Sequence, residues 1–338
     1  MLCASTCPLR LHICFVALLT LIHVVVSPTR VIAKIFDTSG FEGYTNNSIL
    51  EGQSQTMVIP PPRKWLNAGD GGSMAVVQNV ISKFGKAVKV TKASNSDDRW
   101  AIPVGDLGYP HYRYITINWD MNVTPTGAGS NVFGPFIGVD TYDDTQGPVS
   151  LLGSLGVDAT TGDVLYQAQG SGVLTEAGAP ISFNIWHSFQ IRLDFMTDNY
   201  KIFVDGTQRA SVGFVDGASN NFSDADIAAF AAAPDTASRS QIGVGYFDNF
   251  KVLEIAPPDF DIDGDVDDDD LTTWQNSYAI DAGGDADFDG DTDGDDFLIW
   301  QRFYGYGIPS SATLNSVPEP SSILLAISFL AFLSQKRR

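Results

Sequence analysis

Between residues 34 and 256 apolar and polar positions alternate with a period of two. Ile115, Ile117, Trp119, Met121 and Val123 interleave with Thr116, Asn118, Asp120 and Asn122. Phe189, Ile191, Leu193 and Phe195 interleave with Gln190, Arg192 and Asp194. Successive side chains of a strand point to opposite faces, so each run predicts a half-buried strand. Tyr200, Ile202 and Val204 follow a polar turn at 197–199, and Asp205-Gly206 marks a tight turn after them. These runs read as antiparallel strands joined by hairpins. More strands are expected at 87–92, 133–141, 150–159, 164–170 and 242–255, and 224–233 reads as a helix. So many short strands predict a mainly β domain, a two-sheet sandwich.

After residue 256 the pattern changes. Residues 259–275 (DFDIDGDVDDDDLTTWQ) and 285–301 (DADFDGDTDGDDFLIWQ) align at an offset of 26. Each carries Asp at loop positions 1, 3, 5, 7, 9 and 12 and Gly at 6. That is the ligand spacing of an EF-hand-type calcium loop, where position 7 gives its backbone carbonyl and the glycine permits the sharp turn. The ligands would be Asp259, Asp261, Asp263, Asp265, Asp267 and Asp270 in the first loop. In the second they would be Asp285, Asp287, Asp289, Asp291, Asp293 and Asp296. A solvated acidic linker would not repeat Gly264 and Gly290 in register with Trp274 and Trp300. Leu271 and Trp274, like Phe297 and Trp300, lie three apart and give each following helix a packing face. Position 12 is Asp where sensor EF-hands have Glu, and with the duplication this resembles type I dockerin. The resemblance implies calcium as cofactor and a cohesin-like partner. Positions 10 and 11, on which that family's partner recognition leans, are Asp268-Asp269 and Gly294-Asp295, without the usual hydroxyl residues. The calcium fold therefore carries over better than the partner.

Charge and chain ends narrow the class. The net charge is −20, and 259–296 holds 16 Asp without one Lys or Arg. A pI near 4.3 argues against nucleic acid, whose phosphates would be repelled. Residues 11–26 form an apolar run after Arg10, and Val31-Ile32-Ala33 offers a small-residue cleavage site, so residues 1–33 read as a secretory signal. Cys3, Cys7 and Cys14 all lie there, so an exported mature chain would have neither disulfides nor structural zinc. At the other end Val317, Pro318, Glu319 and Pro320 precede the short apolar run 323–333 and then Lys336, Arg337 and Arg338. This order resembles the PEP-CTERM sorting tail. It implies transient membrane engagement and processing by an exosortase-type enzyme.

The β domain itself resembles the concanavalin/laminin-G jelly rolls. The resemblance rests on Phe41-Glu42-Gly43, on Trp186 with the hairpin Lys201-Ile202-Phe203-Val204-Asp205-Gly206, and on the closing Gly245-Tyr246-Phe247-Asp248-Asn249-Phe250. In many such carbohydrate modules the opening Glu and the closing Asp share a structural calcium, which would be Glu42 and Asp248 here. The alternative is that Asp248 caps a turn and Glu42 faces solvent. Sugar rings stack on aromatic side chains. Trp65, following Pro60-Pro61-Pro62, is the candidate for that role, with a buried wedge as the alternative, whereas Trp119 belongs to the core. Retaining glycosidases need two carboxylates about 5 Å apart. The domain's four Glu (Glu42, Glu51, Glu176 and Glu254) do not form the Glu-x-Asp-x-x-Glu spacing of such enzymes. His111 and His187 sit in no catalytic motif.

The sequence thus predicts a signal peptide (1–33), a jelly-roll sandwich (34–256), a small α-helical dockerin-like calcium module (257–306) and a linker with sorting tail (307–338). The expected function is non-catalytic: glycan or matrix binding at the cell surface, with calcium-dependent tethering. The alternatives are a polysaccharide-acting enzyme with an unmarked Asp-based site, or a purely structural matrix protein.

Overall fold

The alternating run at 115–123 lies within an eleven-residue strand in the interior of one sheet. In a computed structural model the described residues are 34–55, 62–104, 114–126, 133–145, 147–195, 197–261, 263, 265–287 and 290–305. The strands are β1 (Lys34–Asp37), β2 (Ser54–Gln55), β3 (Arg63–Lys64), β4 (Leu66–Gly69), β5 (Met74–Gln78), β6 (Ala87–Lys92), β7 (Asp98–Ala101), β8 (Tyr114–Thr124) and β9 (Pro135–Asp143). They continue as β10 (Ser150–Asp158), β11 (Val164–Gln167), β12 (Leu174–Glu176), β13 (His187–Asp194), β14 (Asn199–Val204), β15 (Thr207–Gly213), β16 (Asp224–Ala231) and β17 (Gly243–Ile255). Three α-helices, α1 (Thr236–Ser240), α2 (Asp268–Ser277) and α3 (Gly294–Phe303), and a short 3-10 turn (Ser39–Phe41) complete the described elements.

Apart from β2 and β3, which pair only with each other, the strands form two antiparallel sheets. The first runs β15-β14-β13-β8-β17-β6-β5, with β1 also on β17, and the second runs β12-β11-β10-β9-β16-β7-β4. Each sheet mixes hairpin neighbours with strands distant in sequence, as β17 between β8 and β6 and β16 between β9 and β7. Ile115, Ile117, Trp119, Met121 and Val123 enter the same core as Ile137, Val139, Leu155, Val157 and Ile227 of the second sheet. The alternation thus assigns the inner faces, and Trp119 stacks on Phe189 at 5.6 Å between centroids. The β14–β15 turn has Asp205 at φ 51° and Gly206 at φ 73°, the left-handed pair that a two-residue hairpin needs.

Two expectations need correction. The segment expected as a helix at 224–233 is strand β16, in the interior of the second sheet. Its alanines favour helix, but Ala225, Ile227 and Ala229 face the core while Ala228 packs on the other face. Pairing with β9 on one side and β7 on the other overrides the propensity. Trp65 is 0% exposed, so it is a core wedge and cannot stack on a sugar in this structure. It lies among Phe36, Phe41 and Phe250 and donates its indole N–H to the Tyr44 hydroxyl at 2.9 Å. The residues 1–33, with the leader, and 306–338, with Val317–Pro320, lie outside the described residues. Among the described residues no helix is long and apolar enough to cross a membrane.

Candidate metal centre and binding faces

The two Asp-rich loops fold alike because each ends in the same helix start. Asp267 and Asp293 are N-caps with φ/ψ of −138°/−155° and −136°/−156°. Each is half of a capping box whose other half is Asp270 or Asp296. The Asp270 carboxylate accepts N–H groups from Phe260 (2.6 Å), Asp261 (3.2 Å) and Asp267 (2.8 Å). Asp296 repeats this with Ala286 (2.6 Å), Asp287 (3.2 Å) and Asp293 (2.7 Å). Residue 12 of each loop therefore folds the loop back on its own helix, which the ligand spacing alone did not reveal.

The two repeats also exchange contacts. The Trp274 indole donates to the Asp293 carbonyl at 2.9 Å, and the Trp300 indole donates to the Asp267 carbonyl at 3.0 Å. Trp274 packs on Phe297 at 4.9 Å, and Phe297 stacks on Trp300 at 5.5 Å. Val266, Trp300 and Ala256 form a small buried cluster edged by Phe260, Leu271, Phe297 and Phe303. Ala256 directly follows β17, so this cluster joins the module to the last strand of the sandwich.

Carboxylate oxygens converge in three groups, each within 4.8 Å: Asp259 with Asp261 and Asp263, Asp285 with Asp287 and Asp296, and Asp291 with Asp293 and Asp296. The donors are hard oxygens without nitrogen or sulfur, so they fit a hard cation. Burial first and the neighbouring Asp charges next push Asp261 and Asp265 above the usual carboxylate range. Asp270 is pushed up to about 6, chiefly by burial. Carboxylates held this close repel one another, and a cation between them would offset that repulsion. Of the expected ligands, Asp267 and Asp270 serve as caps outside the first group, and Asp289 lies outside the described residues.

Glu42 and Asp248 do approach one feature, though not as a cluster of acids. Asp248, fully buried at a bulge in β17, accepts from the N–H groups of Lys83 (2.9 Å), Phe84 (3.1 Å) and Asn249 (2.7 Å). Glu42 accepts from Lys86 N–H at 2.8 Å. Both carboxylates thus pin the turn at 83–86. His187 bridges Asp205 (2.6 Å) and the Ser182 carbonyl (3.0 Å), a structural role, and His111 lies outside the described residues.

Two outer faces carry polar chemistry that no motif marks. On the second sheet Asp226 of β16 stands opposite Asp140 of β9, and Asp224 stands opposite Tyr142. Asp140 accepts from Arg99 (3.0 Å), Tyr142 (3.1 Å) and Ser154 (2.7 Å). Asp226 is 5% exposed, and Oδ1 of both Asp224 and Asp226 lacks a hydrogen-bond partner. Burial, reinforced by the Asp144 charge, pushes Asp224 up to about 7. Asp226 is likewise raised well above the usual carboxylate range, by burial first and then by the charges of Asp224 and Asp140. Only the register of β9 against β16 brings these acids together, 84 and 86 residues apart in sequence.

On the first sheet a cavity of about 830 Å³ opens over β8, β13 and β17. Asn118, Gln190, Arg192, Phe203 and Lys251 line it, and Asp261 of the first loop forms part of its wall. Gln190 donates to Asn118 at 2.8 Å, and the Arg192 guanidinium lies over the Phe203 ring at 4.8 Å. Asp120, also in the wall, is neutralised by Lys83 at 2.8 Å and accepts from Asn249 at 2.6 Å.

No family model and no curated protein matches the chain. Among solved structures, a sialidase is similar at 10% identity and TM-score 0.39, covering 61% of this chain and 21% of that one. The botulinum neurotoxin serotype C1 binding domain is similar at 13% and 0.42, covering 68% and 51%. A carbohydrate esterase from Shiga toxin-encoding bacteriophage phi24B is similar at 15% and 0.40, covering 56% and 89%. The chain thus spans about a fifth of the sialidase and about half of the neurotoxin domain. Likeness at this level says nothing of ligand or activity.

Proposed function

We propose that this is an exported, non-catalytic surface protein in which a jelly-roll sandwich binds glycan or matrix and a dockerin-like pair of calcium loops tethers or spaces it. The observation that supports the reading is the symmetry of the two loops. Each has the same Asp-Asp capping box, and each Trp donates to the other loop's N-cap carbonyl. That exchange ties both loops into one module whose converging carboxylates would be held together by calcium. Asp259, Asp261 and Asp263 would hold one ion, and Asp285, Asp287 and Asp296 the other, the remaining oxygens coming from loop carbonyls and water. The bound ion supplies the positive charge that lets six Asp share a twelve-residue loop. The leader and the tail with Val317–Pro320 would route the chain to the surface, where a cohesin-like protein or a glycan would be the partner. Calorimetry of the protein should find two calcium ions, and Asp259→Ala or Asp285→Ala should each remove one. Absence of stoichiometric uptake at millimolar calcium overturns the reading.

A second reading, a polysaccharide-acting enzyme, is supported by Asp226 and Asp140 facing each other across β16 and β9. Two carboxyls on facing strands, one of them raised well above its usual range by burial, are the kind of pair that glycoside hydrolysis uses. Reducing-end release from a polysaccharide panel, lost in Asp226→Asn, would establish it, and no release from any member would exclude it.

A further inference from the structure

We infer that the cavity on the outer face of the first sheet binds an acidic, hydroxyl-rich saccharide, and that calcium in the first Asp loop turns this site on. The inference rests on the glycan-binding reading and gives it a place, a ligand class and a control. The floor of the cavity is a row of cross-strand partners. Gln190 faces Asn118 on the neighbouring strand, and Lys251 faces Asn118 from the other side. Arg192 lies two residues along β13 on the same face. Two amides and two cations on adjacent strands suit a sugar that carries hydroxyls and one carboxylate. Amides donate to and accept from hydroxyls. A guanidinium pairs with a carboxylate through parallel N–H bonds.

The guanidinium is positioned and incompletely used. It is held over Phe203, its Nε is buried without a hydrogen-bond partner, and its Nη2 reaches Gln190 only at 3.5 Å. The wall decides its charge balance. Asp120 is offset by Lys83, and Asp37 stands opposite Lys251 across β1 and β17. Asp259 and Asp261 are the loop carboxylates whose charge reaches Arg192. Without metal those two acids occupy the field of the guanidinium and repel an acidic ligand. With calcium held by Asp259, Asp261 and Asp263 their charge is directed to the ion, and Arg192 and Lys251 are left to face the ligand. Among the described residues the second loop contributes none to the cavity wall, so the first should dominate its control.

The test is calorimetric titration of the protein with oligosaccharides containing glucuronate, galacturonate or sialate, and with neutral oligosaccharides of the same lengths, in calcium and in chelator. At least one acidic member should bind in calcium and weaken tenfold or more in chelator. Arg192→Gln and Lys251→Gln should each weaken it by roughly tenfold to a hundredfold, the loss expected for a charge-assisted contact. Lys251 covers the case in which loss of Arg192 disturbs folding. Asp259→Ala should weaken binding more than Asp285→Ala does, because only the first loop reaches the cavity wall. Binding of neutral members alone, or acidic binding indifferent to Arg192, Lys251 and the first loop, overturns this inference and leaves glycan binding standing. Binding of no saccharide at all overturns the glycan reading itself.

Discussion

Asp224→Asn should stabilise the protein at neutral pH and flatten its stability against pH. Asp224 sits on the outer face of β16, and burial first, then the Asp144 charge, pushes its carboxyl up to about 7. In the unfolded chain it titrates at about 3.9. Between these values the folded protein keeps a proton that the unfolded chain has released, so stability falls as pH rises. The contribution of Asp224 is therefore complete below about pH 4 and is lost on the way to about pH 7. A rise from near 4 to about 7 corresponds to on the order of 4 kcal/mol, a ceiling that water entry and relaxation reduce. Asparagine keeps the shape, carries no charge and adds a donor beside an acid whose Oδ1 is partnerless. Urea unfolding of wild type and variant at pH 4.5, 6 and 7.5, in saturating calcium, measures the difference, in which the titration of the calcium loops cancels. The variant should gain about 1–3 kcal/mol over wild type between pH 4.5 and 7.5. A difference that stays flat over that range, or that falls, would refute the reasoning.

Trp65→Ala should cost about 3–5 kcal/mol by emptying the space among Phe36, Phe41 and Phe250, while Trp65→Phe should cost less; thermal melts test this, and saccharide binding by the surviving Phe variant should match wild type. Trp274→Phe and Trp300→Phe each delete one indole donor of the exchanged pair, so each should lower module stability by about 1 kcal/mol. The double variant should show a coupling in the cycle, and strict additivity would mean that the two contacts do not act as a unit. Asp270→Ala strands three backbone N–H groups and should melt α2 in chelator, read as a loss of helical circular dichroism, with calcium restoring only part.

The parts of the fold legible in the sequence were those in which a local pattern dictates the outcome. The alternation at 115–123 survives as β8 because one face meets the core, and the Asp205-Gly206 turn survives because few residue pairs accept two positive φ values. β16 was misread because alanine favours helix locally, while the strand exists only through neighbours 82 or more residues away. Trp65 was misplaced for a related reason. The prolines before it signal a loop, but Tyr44, Phe36 and Phe250 decide its burial, and they come from both ends of the domain.

The candidate sites divide along the same line. An EF-hand-type loop gathers its ligands within twelve residues, so its chemistry is written in spacing and can be read directly. The faces of a sandwich gather theirs by register, and register is set by bulges and crossovers that leave no motif. The bulge between Asp248 and Lys251 shows how much this matters. Side chains change face with each residue, so the shift at that point re-aims everything after it. It lets β17 bury Asp248 against the turn at 83–86 and still set Lys251 beside Asn118 at the cavity floor. Straightening β17 should therefore disturb a structural clamp and a binding face together. Asn249 sits at φ 51° in that bulge, a conformation that glycine adopts readily and β-branched residues resist. Asn249→Gly should keep the bulge, losing only the contact to Asp120. Asn249→Val should lose the cavity's cation together with sandwich stability, and a stable Val variant with unchanged ligand binding would show that the bulge does not set the face.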